Sequence, residues 1–166
     1  FFLLSLVFLL VPIDASAYTV IRKGNGNATI WPSNTVQWSI SSSLMSDMTS
    51  DAIEEAAKEA FAAWGAVGCA SIKFNFSGFK GNDPNNGIYI KFKENKWDPS
   101  VGDALAYSVS ESGWGGKIES NDVVINAKDS EWSNIGSWGT NDLQGVLTHE
   151  IGHSIGMDHS REYEAT

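Results

Sequence analysis

The amino-acid sequence predicts an α+β fold, because one short chain contains both strand-like and helix-like patterns. Residues 35–40, 71–76 and 87–92 alternate apolar and polar side chains, as half-buried strands do. Residues 49–64 repeat apolar side chains at helical spacing. Residues 143 to about 155 form a second helical pattern, which Thr140, Asn141 or Asp142 can cap and whose buried side is expected to consist of Leu143, Val146, Leu147 and Ile151. A chain of 166 residues is long enough for one domain with a single core.

The start of the chain has the composition of a secretory leader. Its first eleven residues are apolar except for Ser5, a run too short to cross a bilayer but typical of the central part of a signal peptide. Ala15, Ser16 and Ala17 then supply the small residues of a cleavage site. Residues 1–17 are therefore predicted to be a signal peptide that lacks its own beginning. The mature protein is expected to be secreted, or periplasmic in a bacterium.

The helix predicted at residues 49–64 has recognisable ends. Thr49, Ser50 and Asp51 each offer an oxygen that can cap its N-terminus, and Gly65 follows its last residue. Its apolar face consists of Ile53, Ala56, Ala57, Ala60, Phe61 and Trp64. Acidic and basic residues fill the opposite face, so this is predicted to be a scaffold helix with one solvated side.

Two features between the predicted strands allow more than one interpretation. Cys69, the single cysteine, is either a buried free thiol or half of a disulfide whose partner lies beyond Thr166. It is not a candidate nucleophile, because every histidine that could activate it lies in one distant motif. The loop at residues 78–87 holds carboxylate and amide groups that could bind calcium. The same residue types favour a plain turn, which is the preferred interpretation.

The charge balance restricts the partners of this protein. Twenty acidic residues against eleven basic ones give a net charge of −9. This excess of negative charge argues against binding to nucleic acid or to an anionic membrane. The seven tryptophans exceed what a small core needs. Most are expected to pack in the core, and some to line a surface groove.

The stretch that begins at His149 contains the residues of a metal site. His149 and His153 are four residues apart, so on a helix they are displaced by about 40° around the axis and leave the same face. Zinc binds imidazole nitrogens, and a catalytic zinc takes three protein ligands and leaves one position open to water. Glu150 follows the first histidine and can take a proton from that water.

His159 is the predicted third ligand. Gly156 can adopt the backbone angles that end a helix abruptly, which would let the chain turn back and bring His159 to the metal. The spacing H-E-x-x-H-x-x-G-x-x-H is matched at every fixed position, and its three histidines are the only ones in the chain. Histidines on a surface or in a core would scatter along the sequence, so this clustering favours a zinc site.

This spacing is the metzincin signature, and the residues around it resemble the matrixin family, the group that is similar to matrix metalloproteinases. The resemblance is closest at residues 151–160 and 143–148, and it extends more faintly back to Thr35. It implies a twisted, mostly parallel sheet of about five strands, with one scaffold helix and one active-site helix. Residues 35–166 would form the catalytic domain, and residues 18–34 a short N-terminal segment before it.

The resemblance also implies two further strands. Residues 104–108 resemble the strand at the sheet edge above the matrixin cleft, where an extended substrate adds itself as another strand. Residues 122–126 resemble the strand that follows. Matrixins hold a second, structural zinc between these segments through histidines, and the corresponding positions here are Tyr107 and Val124. This structural zinc is therefore expected to be absent.

One part of the metzincin pattern is missing from the sequence. Metzincins place a methionine-containing turn beneath the zinc, downstream of the third histidine. Only residues 161–166 follow Ser160 here, and none of them is methionine, while Met157 lies inside the motif. The sequence is therefore expected to be a fragment that ends before this turn.

The motif and the resemblance together predict an exported zinc metalloendopeptidase. It would act as a monomer on protein or peptide substrates, with one catalytic zinc and no membrane contact in its mature form. Glu150 would take a proton from the zinc-bound water and deliver it to the leaving amine. Two alternatives remain. One is an exported zinc-binding module without peptidase activity; the other is a carbohydrate- or surface-binding module, which would leave the motif unexplained.

Overall fold

The computed structural model describes residues 19–134 and 136–160. The predicted signal peptide, residues 1–17, and the final residues, 161–166, therefore lie outside the described residues. The strands are β1 (Thr19–Val20), β2 (Thr35–Ser41), β3 (Lys73–Lys80), β4 (Gly87–Lys93), β5 (Ala106–Ser112), β6 (Ile118–Asn126), β7 (Trp132–Ser133), β8 (Asn141–Asp142) and β9 (Met157–Asp158). The helices are α1 (Ser50–Gly65) and α2 (Leu143–Ser154), and single 3₁₀ turns occur at Pro99–Val101 and Trp114–Gly116.

Five strands form the main sheet, in the order β3-β2-β4-β6-β5. The first four in this order run parallel to one another, and β5 lies antiparallel to β6 at one edge. Two short pairs complete the strand pairing: β1 with β9, and β7 with β8. The mostly parallel five-stranded sheet with two helices that the resemblance implies is therefore confirmed. Neither helix is long and apolar enough to span a bilayer, within the described ranges.

The two strands nearest the active-site helix extend beyond the residues predicted for them. β5 begins two residues after the predicted start at Ala104 and continues to Ser112, and β6 begins four residues before Asp122. The added residues are mostly polar, and they pair across the β5–β6 hairpin through their main chains. Because main-chain pairing needs no apolar side chain, an apolar pattern detects only the part of such a strand in which apolar side chains are frequent.

One hydrophobic core joins the sheet to both helices. Trp38 of β2 stacks on Phe61 of α1, with ring centroids 4.2 Å apart. The side chains without solvent exposure include Ile40, Ile53, Ala57, Ala60, Ile88, Ile90, Val123, Ile125, Leu143, Leu147 and Ile151. The predicted apolar face of α1 is buried except for Trp64, and the predicted buried side of α2 is buried except for Val146; both of these side chains are partly buried and pack against the core.

The predicted N-terminus of α1 is confirmed at Thr49. Its Oγ1 accepts a hydrogen bond from the amide of Ala52 at 3.3 Å, which satisfies one of the amides that a helix start leaves without a partner. Asp51 lies in the first turn, where a negative charge interacts favourably with the helix dipole.

Helices α1 and α2 meet where a glycine removes the side chain that would separate them. A Cβ at Gly152 would lie 2.9 Å from Cζ2 of Trp64. The indole Nε1 of Trp64 donates to the carbonyl of Thr148 at 2.7 Å, so the ring is fixed in this position. Trp64 thereby anchors the scaffold helix directly on the turn of α2 that precedes His149.

The prediction that a side chain caps α2 is wrong. Asp142 is the N-cap residue, but its side chain makes no capping hydrogen bond. The other two candidates have different partners: Thr140 Oγ1 lies 2.8 Å from Ser133 Oγ and also donates to the Ser137 carbonyl, and Asn141 Nδ2 donates to the carbonyl of Glu131. These polar groups stabilise the loop before the helix rather than the helix itself.

Two local predictions between the strands have different outcomes. Cys69 is exposed, so the buried-thiol interpretation is wrong. In the loop between β3 and β4, Oδ1 of Asp83 accepts from the amide of Asn85 at 2.8 Å, and Asn85 has a positive φ of 51°. This geometry is that of a turn closed by its own aspartate, in agreement with the preferred interpretation of this loop.

The helix contact predicts opposite effects for two Gly→Ala substitutions in α2. Gly152→Ala should lower the free energy of unfolding by about 1–3 kcal/mol, because the new methyl group collides with Trp64. Gly145→Ala is the control, because its Cβ would meet only the exposed carboxylate of Asp142, which can move away. The better helix propensity of alanine should then stabilise by up to about 1 kcal/mol. Chemical denaturation measures both, and equal stability of the two variants would contradict the proposed contact.

Candidate metal centre

The first two histidines of the motif are fixed by helix α2. His149 and His153 lie one turn apart, and their ring centroids are 4.7 Å apart. Nδ1 of His153 lies 2.8 Å from the carbonyl oxygen of Met157. A carbonyl can only accept, so Nδ1 carries the proton and donates, and Nε2 is left with its lone pair free. The backbone just after the helix therefore selects the tautomer of His153 that can bind a metal.

The chain reverses direction at Gly156, as the sequence predicts. Gly156 has a φ of 97°, in the left-handed region that favours glycine, and its amide donates to the carbonyl of His153 at 2.9 Å. A Cβ at this position would also lie 2.4 Å from the carbonyl oxygen of Thr29. Conformation and space therefore both require glycine here. The reversal leads into β9 and brings His159 back beside the helix.

The Nε2 atoms of all three histidines converge on one point. The distance is 3.1 Å from His153 to each of the other two, and 3.2 Å from His149 to His159. Tetrahedral zinc with Zn–N bonds of about 2.0–2.1 Å holds its nitrogens about 3.3 Å apart, so this spacing fits that ion. Within the described residues, no other group of three or more His, Cys, Asp or Glu side chains brings its ligand atoms together in this way.

Glu150 is buried beside this cluster, with 6% of its surface exposed. Its Oε2 atom has no hydrogen-bond partner among the described residues, which is costly for a buried carboxyl oxygen. Burial raises the pKa of Glu150 to about 7, and the charge on His159 acts in the opposite direction. A cation held by the histidines would favour the carboxylate further. The arrangement suits a carboxylate that exchanges a proton with a water at the metal.

The electrostatics of His149 also favour metal binding. Burial lowers its pKa, and the neighbouring His153 and His159 lower it further. A lowered pKa keeps the imidazole neutral, and only a neutral imidazole has a lone pair for a metal.

A buried polar network, not predicted from the sequence, fixes the end of α2 against the sheet. Ser154 Oγ donates to Oδ1 of Asn121 at 2.6 Å, and Nδ2 of Asn121 donates to Ser108 and Ser110 on β5 at 2.8 and 2.9 Å. Ser154 is fully buried and Asn121 is 1% exposed. The sequence shows only that Asn121 lies in a polar stretch directly before the strand predicted at residues 122–126, and this carries no information about its partners.

The sequence of residues 30–166 matches the family profile described as Matrixin. The match covers most of the chain. The chain belongs to the matrixin family. Matrixins are zinc-dependent peptidases, so the family implies hydrolysis of proteins and agrees with a histidine cluster of this geometry. A search of curated proteins finds no significant match.

Tyr107 and Val124, which the resemblance places at the second zinc of matrixins, are neighbours in this structure. Tyr107 on β5 and Val124 on β6 are paired across the two strands. Val124 is buried, and the ring of Tyr107 packs on Trp97 with centroids 5.3 Å apart. An aliphatic and an aromatic side chain therefore stand at these two positions, and neither is a zinc ligand.

The reversal at Gly156 predicts a selective loss of zinc affinity. Gly156→Ala should bind zinc at least tenfold more weakly, because the new methyl group collides with Thr29 and displaces His159. Gly139→Ala is the matched control, since Gly139 also has a positive φ but has no atom within 4 Å of the new methyl group. Competition with a chromogenic chelator measures both affinities. If both variants kept the parent affinity, this account of the third ligand would be wrong.

Proposed function

We propose that this protein is an exported zinc metalloendopeptidase in which His149, His153 and His159 hold one catalytic zinc and Glu150 is the general base. The observation that supports this most is the convergence of three Nε2 atoms beside a buried carboxyl oxygen without a partner. Hydrogen bonds among the three rings do not explain this convergence, because each Nε2 either donates or accepts, so at least one of the three close pairs is left without a bond.

Zinc and Glu150 would have separate roles in the hydrolysis of the peptide bond. When bound, zinc supplies a Lewis acid that polarises the scissile carbonyl and makes a water molecule more acidic. Glu150 accepts a proton from the attacking water and returns it to the leaving amine. The burial that raises the pKa of Glu150 suits both steps, because a carboxyl group with a pKa near the working pH can take up and release a proton.

Strand β5 is the proposed docking edge for the substrate. It pairs with β6 on one side, and none of the other described strands pairs with its outer edge. Ser108 lies on the face towards α2, where its Oγ is 3.3 Å from that of Ser154, and Val109 lies on the opposite face and is half exposed. An extended peptide that pairs with this edge would lie beside the helix that carries the metal ligands.

Export is proposed on the sequence of residues 1–17, and a monomeric state is proposed with it. Expression in a secreting host, with a leader that includes residues 1–17, should yield a chain whose first residue is Tyr18. Sedimentation of the product should give the mass of one chain. Retention of the intact protein inside the cell would contradict export, and a stable dimer would contradict the monomeric state.

The main alternative is a zinc-binding module without peptidase activity. A quenched peptide library separates the two, since such a module would bind zinc and leave every peptide uncut. A carbohydrate- or surface-binding module would contact its ligand through Trp114 and Trp138, which are 98% and 100% exposed. It gives no reason for the three histidines to converge, and glycan binding that survives a chelator would favour it.

We predict one tightly bound zinc per chain. The histidine cluster supplies one site, and Tyr107 and Val124 supply no ligand at the second matrixin position. Elemental analysis of the zinc-loaded protein after dialysis measures the ratio. Two zinc ions per chain would contradict the prediction.

Substitutions in the motif should separate chemistry from metal binding. Glu150→Gln keeps the shape and hydrogen bonding of the side chain but cannot accept a proton. It should retain zinc and lose about 10²–10⁴-fold in kcat. His153→Ala should instead lose zinc and activity together, since it removes one of three ligands. Both are assayed for bound zinc and peptide cleavage. Peptide cleavage by Glu150→Gln at the parent rate would rule out the proposed base.

A further inference from the structure

The third ligand needs support that the helix does not give it. His149 and His153 belong to α2, whose hydrogen bonds fix their backbone. His159 lies beyond the helix end, is exposed, and follows the two-residue strand β9. A ligand on such a short segment fluctuates unless other parts of the chain hold it, and any fluctuation of His159 weakens metal binding.

The N-terminal segment, residues 19–31, lies directly against this region. Strand β1 pairs antiparallel with β9, with Thr19 opposite Asp158 and Val20 opposite Met157. The hydroxyl of Thr19 donates to the carbonyl of His159 itself at 2.7 Å. The partner of β9 is therefore a stretch of chain about 140 residues away in sequence.

The same segment contacts the turn between the second and third ligands. The amide of Ile21 donates to the carbonyl of Gly156 at 2.8 Å, and the carbonyl oxygen of Thr29 lies 2.4 Å from the place that a Cβ of Gly156 would take. The indole Nε1 of Trp31 donates to the carbonyl of Ser154 at 2.9 Å. Ser154 is the last residue of α2, where a helix leaves carbonyls without an internal partner.

The far end of the segment is attached to the main sheet. The amide of Ile30 donates to the carbonyl of Gly116 at 3.0 Å, and the amide of Ile118 at the start of β6 donates back to Ile30 at 2.8 Å. The segment thus connects the rigid sheet with residues 154–159. It also affects the second ligand, because Met157, whose carbonyl holds His153, is paired with Val20.

We propose that residues 19–31 position His159 for zinc, so that the hydrogen bonds of Thr19 and Trp31 to residues 159 and 154 set the zinc affinity of the site. This inference rests on the proposed function, in which the three histidines hold the metal. Thr19 and Trp31 are positioning residues; neither contacts the metal or a substrate.

Two substitutions in the full chain test the proposal, each with a matched control. Thr19→Val removes one hydrogen bond and keeps the side-chain shape, whereas Trp31→Phe removes one hydrogen bond together with part of the indole ring. Thr35→Val makes the first change at an exposed position of β2, and Trp97→Phe removes an equivalent indole bond, to the Gly102 carbonyl at 3.0 Å. Zinc affinity is measured by chelator competition and stability by thermal unfolding of the zinc-free protein.

Each test variant should bind zinc about 3–10-fold more weakly, the change expected for one hydrogen bond that holds a ligand in place. Each control should stay within about twofold of the parent, although Trp97→Phe should lower the melting temperature. Thr19→Val and Trp31→Phe could instead lower the melting temperature without lowering the zinc affinity, or lower the zinc affinity no more than their controls do. Either result would show that the segment is structural only and that the proposal is wrong.

A double-substitution cycle with His159→Ala shows whether Thr19 acts through the third ligand. Thr19→Val should lower the zinc affinity of the parent protein and should have no further effect on zinc affinity in the His159→Ala background. An equal effect in both backgrounds would overturn the proposal. If His159→Ala alone left zinc affinity unchanged, the proposed function would fail instead, so the two failures are distinguishable.

Discussion

Three imidazole nitrogens must lie within about 3.3 Å of one another to share a tetrahedral zinc, and the backbone of residues 149–159 brings those of His149, His153 and His159 to this spacing. A helix places His149 and His153 on one face without further help, but it cannot supply the third nitrogen from the same face. The chain must leave the helix and reverse within a few residues. Gly156 makes this reversal, and its φ of 97° and its contact with Thr29 exclude any other residue there.

The other features of the site follow from this reversal. The carbonyl of Met157, just after Gly156, fixes the tautomer of His153, and β9 leads to His159. Helix α2 is held from two sides: Trp64 of α1 bonds to the turn before the first ligand, and the Ser154–Asn121 pair joins its end to the sheet. Glu150 is buried as a result of this packing, and the burial raises the pKa of its carboxyl group.

Much of the fold and site could be predicted because the relevant information is local in sequence. The strands have a period of two, α1 has a capping threonine at Thr49, and the spacing from His149 to His159 specifies both helix and reversal. The edge position of β5 came from the resemblance, and its antiparallel direction was not predicted, since a strand pattern carries no direction.

The contacts that could not be predicted are long-range and polar. Thr19 and Trp31 donate to carbonyls more than 120 residues away. Because every residue has a backbone carbonyl, the sequence does not show which one will accept. Nothing in the composition of residues 18–34 distinguishes them from a plain linker. Asn121 similarly belongs to a polar stretch before an apolar strand, and the sequence does not show that Ser154 is its partner. The capping prediction for α2 was wrong for a related reason, because Thr140 and Asn141 form hydrogen bonds with residues of the preceding loop instead.

X-ray absorption at the zinc edge, on the zinc-loaded protein, tests the central claim most directly. The account predicts three histidine nitrogens at about 2.0–2.1 Å with one further oxygen, and the imidazole scattering should fall to two rings in His159→Ala. A spectrum with two imidazoles in the parent protein, or with three that persist after His159 is removed, would contradict it.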